Sequence, residues 1–165
     1  QLIQGGNNYL PSVSPDGKWV VYRSLNDELW AIWKVSIDGG APTRLTDKSA
    51  HWPSVSPDGK WVACIYEGRL ALIPFDGGPP AMTFTLPRTA TAGMGLSWSP
   101  AGRELIIRDT VQGVWLQPLA GGDPQHLANL GLEKIFHFVW SPQGNQVAVV
   151  RGNQSLDVVL IRRFK

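Results

Sequence analysis

An all-β fold assembled from four repeated units is what this 165-residue sequence predicts, and three observations carry the prediction. Ser-Pro-x-Gly occurs four times, at 14–17, 56–59, 99–102 and 141–144, with its glycines spaced 42, 43 and 42 residues apart. Each copy is followed by strand-length apolar segments rich in Val, Ile, Leu and Trp. No segment carries a sustained 3.6-residue apolar stripe with caps, so essentially no helix is expected. A period near 40 makes each unit one supersecondary element that cannot bury its own apolar faces, so architecture must come from stacking.

Within a unit the elements follow a fixed order. The first is a hairpin, Pro11-Ser12-Val13-Ser14-Pro15-Asp16-Gly17-Lys18-Trp19-Val20, repeated almost unchanged at 53–62. Pro15, Pro57, Pro100 and Pro142 preset φ for the first central turn position. Asp16 and Asp58 suit the second, because a carboxylate there accepts local backbone N–H bonds. Gly17, Gly59, Gly102 and Gly144 tolerate the positive φ that re-enters the ladder. A third strand follows at 29–35, 70–73, 114–116 and 158–161. A glycine-rich turn then leads, in three units, to a short fourth segment such as Thr43-Arg44-Leu45-Thr46 or Gln125-His126-Leu127. The stretch from Thr83 to Gly93 reads as an irregular connection between units. Four strands per unit of about 42 residues describes a β-propeller blade. The blades fall at 9–49, 50–88, 93–131 and 135–165.

The Ser-Pro-Asp-Gly-Lys hairpin, the following Leu-Trp-x-Ile strand and the Asp-Gly-Gly-x-Pro-x-x-Leu-Thr ending together resemble the WD40-like repeats of TolB-type propellers. The likeness covers nearly the whole chain and is strongest in the first two units. In the third and fourth units Ala101 and Gln143 replace the turn aspartate. The resemblance implies a β-propeller with no catalysis of its own, belonging to a bacterial sensory or scaffold protein that is periplasmic or otherwise extracytoplasmic. Two other readings stay open: the gating propeller of a prolyl-oligopeptidase-type serine peptidase, and a propeller fragment or engineered assembly with no ligand.

Residues 1–4 resemble the closing fourth strand of a unit, whereas the last unit supplies three strands and no fourth. A terminal strand that completes the opposite terminus's blade removes two unpaired edges at once. Four units could close within one chain as a four-blade ring or form part of a larger propeller, but the expectation is a half ring closed by a second copy of the chain as a homodimer.

Composition fits one compact domain, with 43% hydrophobic, 10% aromatic and 17% charged residues, too apolar for disorder. A net charge of +2 with scattered basic residues does not indicate nucleic acid as a partner. No apolar run approaches the length of a membrane span, so no membrane insertion is expected. No metal or other cofactor is expected either, since His51, His126 and His137 fall in different units. The single cysteine, Cys64, aligns with Tyr22 inside a second strand and reads as a buried small hydrophobe.

Catalysis finds no support in the pattern. Gly95-Leu96-Ser97-Trp98-Ser99 lacks the second glycine of a nucleophile elbow, and the carboxylates are spread over different blades. What remains is a surface argument. In a propeller the first strand of each blade lines the central channel, and the positions leading into it sit at one mouth. They read Tyr9, His51 with Trp52, Met94, and Phe136 with His137, a set of aromatic and soft side chains suited to a protein or peptide partner, or to a small ligand.

Overall fold

The computed structural model describes residue 3 and residues 6–26, 28–86, 95–109, 113–128, 134–141, 143–144 and 146–152. Among these residues there is no helix, and every sheet is antiparallel. The first blade is β1 (Asn7–Val13), β2 (Trp19–Asn26), β3 (Leu29–Ser36) and β4 (Thr43–Arg44), hydrogen-bonded in that order. The second repeats it with β5 (Ala50–Val55), β6 (Trp61–Tyr66), β7 (Arg69–Pro74) and β8 (Met82–Phe84). The third is β9 (Gly95–Trp98), β10 (Glu104–Asp109), β11 (Gly113–Pro118) and β12 (Gln125–Ala128). Of the fourth, β13 (Lys134–Trp140) and β14 (Val147–Gly152) are described. The third strand expected at 158–161 lies outside the described residues, as does the closing segment 1–4 except for Ile3.

The repeated serine has a direct physical reason. In each turn the glycine N–H donates to the serine carbonyl, from Gly17 to Ser14, Gly59 to Ser56, Gly102 to Ser99 and Gly144 to Ser141. The serine hydroxyl accepts the N–H of the residue that opens the second strand, at 3.0 Å from Trp19 and 2.9 Å from Trp61. Where an aspartate follows, the same hydroxyl donates to it, Ser14 to Asp16 at 2.5 Å and Ser56 to Asp58 at 2.6 Å. These bonds hold both carboxyls below the usual carboxylate range. In the third and fourth units, where the aspartate is gone, the serine still accepts from Glu104 and Gln146, at 3.2 Å each. The serine is thus the structural constant and the aspartate an addition. Ser56→Ala, at a side chain only 2% exposed, is expected to cost about 1–3 kcal/mol by leaving the Trp61 N–H without a partner, as read from urea unfolding midpoints.

Blades stack through alternating faces of their strands. Val21, Ile32 and Leu45 of the first blade pack with Ala50, Val62, Cys64, Ala71 and Ile73 of the second. Ala63, Ile65, Leu70 and Leu72 on the opposite side of the second blade meet Trp98, Leu105 and Ile107 of the third. Ile106, pointing the other way from its neighbours, joins Phe138 of the fourth. A strand covered on both faces must be apolar at successive positions, which is why Leu105-Ile106-Ile107 runs without alternation and is 0% exposed throughout. Lys34 crosses the first junction in place of an apolar residue: its ammonium bonds the Phe75 carbonyl at 3.0 Å and Asp76 at 3.1 Å, over the Trp19 and Phe75 rings.

Hairpin turns touch along the rim as well. A Cβ on Gly59 would stand 3.7 Å from Pro15 Cδ, one on Gly102 3.6 Å from Pro57 Cδ, and one on Gly144 3.5 Å from Pro100 Cδ. Gly59, Gly102 and Gly144 therefore sit beside the proline one blade earlier, and the φ of all four turn glycines, 67–71°, is positive as the repeat requires.

Two details differ from the sequence expectations. Thr83 and Phe84 belong to β8, so the connection between the second and third blades starts later than the irregular composition suggested. Tyr9, His51, Trp52, Phe136 and His137 lie within β1, β5 and β13 and not in loops ahead of them. These three inner strands carry β-bulges, where pairing jumps from Tyr9 to Ser12, from His51 to Ser54 and from Ile135 to His137. Pro11 and Pro53 have no N–H for the ladder, and the residues before them, Leu10 and Trp52, take up the extra length at φ of 56° and 59°.

Candidate functional site

The inner hairpins bring one level of each blade into register. Tyr9 pairs with Arg23, His51 with Ile65, and Gly95 with Arg108. Arg23 also opposes Ile32 on β3, which makes Trp30 its diagonal neighbour on the same sheet face, the one turned toward the second blade. The result is a compact cluster. The Arg23 guanidinium carbon stands 3.6 Å over the Trp30 ring, and the Tyr9 ring leans on Trp30 at 5.7 Å and 56°. Tyr9 remains 52% exposed, so the cluster opens to solvent.

His51 adjoins this cluster from the second blade. Burial, with the Arg23 charge adding to it, holds the imidazole below its ordinary pKa, which favours the neutral ring. Its Nε2 lies 3.2 Å from the Ser49 hydroxyl. Arg23 is itself pushed below the ordinary guanidinium range by burial, an effect partly offset by Tyr9. Arginine remains charged at any physiological pH, so the cation is fixed and the histidine beside it is not. Arg108 repeats the Arg23 position two blades on, half-buried, and Gly95 makes room for it: a Cβ there would approach Arg108 Nε to 2.9 Å.

Of the expected mouth residues, Tyr9 and His51 meet at this cluster. Trp52 turns instead into the junction with the third blade, packing with the Ile65, Leu70 and Trp98 cluster. His137 lies exposed on β13. Met94 and Pro142 lie outside the described residues, as does the Phe136 side chain. His126 sits on β12, the outermost strand of its blade, with its ring 4.7 Å from Trp115. Among the described residues no group of three His, Cys, Asp or Glu side chains could hold a metal ion. The Cys64 thiol is fully buried and pushed up to about 12 by desolvation, which leaves it inert.

Arg23 and Trp30 were not among the residues that the sequence pointed to. The recurrence of arginine at 23 and 108, the same place in two units, was the available signal.

Four-stranded blades stacked with their first strands innermost define a β-propeller arrangement, and comparison with known proteins gives the same class. A solved structure assigned to TolB, from Agrobacterium tumefaciens, is 22% identical with a TM-score of 0.65, and the match covers 93% of this chain and 61% of that one. TolB from Acinetobacter baumannii is 19% identical with a TM-score of 0.66, over 87% of this chain and 37% of that one. The fold is therefore that of a TolB-type, WD40-like β-propeller, and the chain spans less than two thirds of each of these structures. An uncharacterized protein of Agrobacterium fabrum is 39% identical over 44 residues, which are 27% of this chain and 15% of that protein. No family model matches the sequence.

Proposed function

We propose that this chain is a non-catalytic recognition module that takes a peptide segment of a protein partner at the channel mouth formed by its first two blades. The carrying observation is the half-exposed Tyr9 on Trp30 and Arg23 beside His51. Aromatic and arginine side chains held rigidly at an opening supply contact area at low entropic cost, the usual make-up of recognition hot spots. The bulged, positive-φ backbone at Leu10 and Trp52 is the kind of local strain that re-aims side chains at such sites. The resemblance to TolB-type propellers is the ground for reading it as part of an extracytoplasmic sensory or scaffold protein.

The ring is completed, in this reading, by a second copy of the chain. Val139, Ala148 and Val150 of the fourth blade occupy the positions by which each earlier blade packs on the next, yet all three are exposed, Val139 and Val150 by 56% and 57%. A groove of about 530 Å³ runs beside them, lined by Val139, Trp140, Ser141, Gln146 and Ala148. Val13 of the first blade is 59% exposed where its equivalent Trp98 is 7%, so the two surfaces offer each other the same kind of contact as the three internal junctions.

A peptide array probed with the purified chain tests the recognition reading. Binding peptides should lose most of their signal against Tyr9→Ala, whose exposed ring can be removed with little cost to folding. An array without hits, or hits that Tyr9→Ala leaves unchanged, would contradict the assignment.

A further inference from the structure

Resting on the recognition reading, we infer that Arg23 is the anion-recognising residue of this mouth, taking a carboxylate of the peptide ligand while Trp30 holds the guanidinium flat. The inference follows from how the arginine is positioned. Stacking on Trp30 at 3.6 Å uses the face of the guanidinium and leaves its in-plane N–H groups free, the geometry in which arginine forks a carboxylate. No hydrogen bond joins those donors to another described residue. Arg23 Nε is buried with no hydrogen-bond partner, and no ion pair joins Arg23 to any described carboxylate. A buried donor left unpaired is costly, and a site that waits for a ligand is one setting in which that cost persists.

Two carboxylates in loops of the first two blades are already paired. Glu67 pairs with Lys48 at 3.0 Å, and Asp47 accepts from the Tyr66 hydroxyl at 2.7 Å. His51, the titratable base beside Arg23, is held toward its neutral form by burial and by the Arg23 charge. One guanidinium between Tyr9, Trp30 and His51 suits a planar, singly charged carboxylate next to an apolar or aromatic group. A phosphate would call for more positive charge.

The test uses three probes on the intact chain: N-acetyl-phenylalanine, its amide, and inorganic phosphate. Affinity is read by calorimetry and the contact by the Trp30 indole resonance. The acid is expected to shift that resonance and to bind about tenfold or more tightly than the amide, the difference between a charged and a neutral hydrogen-bond acceptor. Arg23→Lys should lose about as much, whereas Arg44→Lys should bind as the parent does, because Arg44 bonds the Thr46 and Asp47 carbonyls on an outer strand. Equal affinity for acid and amide, or no binding of the acid while array peptides still bind, would overturn the carboxylate inference and leave the recognition reading intact. Phosphate binding as tightly as the acid would also overturn it. Absence of binding by all probes together with an empty array would remove both. If Arg23→Lys fails to fold, the comparison of acid with amide on the parent chain decides alone.

Discussion

Leu105→Ala is expected to remove about 2–5 kcal/mol of stability, measured as a fall in the urea unfolding midpoint at unchanged slope. The side chain is 0% exposed and sits at the centre of the junction between the second and third blades, against Ala63, Ile65, Leu70, Leu72 and Trp98. Its loss removes the transfer free energy of three carbons and leaves a cavity between two rigid sheets that can close only by shifting whole strands. In a stacked repeat each junction stabilises only its two neighbours, so the damage should be local. Amide exchange should accelerate in β9 to β11 and in β6 and β7 before it does in β2 and β3. A loss under about 1 kcal/mol would mean that the blades are not held together at this junction.

The second large effect concerns assembly. The parent chain is expected to scatter light with about twice its 18.1 kDa mass, and the double variant Val139→Lys, Val150→Lys to scatter as a single chain. Both valines are more than half exposed, so lysine at these positions costs the separate chain little. In a closed ring they would be buried against another blade, where two unpaired ammonium groups are prohibitive. Lysine is also the residue with which open sheet edges are kept from pairing. A parent chain that stays at 18.1 kDa over a wide concentration range would refute closure by a second copy, and so would a double variant that keeps the parent's mass.

How much could be read without coordinates depended on the range of the interaction. The hairpin turn was legible because its determinants, Ser14, Pro15, Asp16 and Gly17, act within four residues of one another; the structure returns the expected bond from the Lys18 N–H to the Asp16 carboxylate at 3.1 Å and adds serine-hydroxyl bonds that the reading did not include. The order of strands within a blade followed for the same reason. The bulges were missed although Pro11 and Pro53 marked them, because a proline in a strand signals an edge as readily as a bulge. That misplaced Tyr9 and His51 into loops. The cluster on Trp30 lay further out of reach, since it needs the register of two hairpins at once: Tyr9 opposite Arg23, then Arg23 diagonal to Trp30. Trp52 was read with His51 as a mouth residue, yet as the repeat equivalent of Leu10 at the bulge it faces the next blade.

The near-constant setting of three turn glycines beside the proline one blade earlier, where an added Cβ would stand 3.7, 3.6 and 3.5 Å from the ring, reaches beyond the turns themselves. A side chain extending past Cβ at any of the three would have to push the neighbouring turn away, so the spacing of the turns along the rim depends on glycine there. Curvature would then depend on the hairpins as well as on the apolar filling between sheets. A turn that gained or lost a residue would change that spacing, and with it the number of blades that closes the circle.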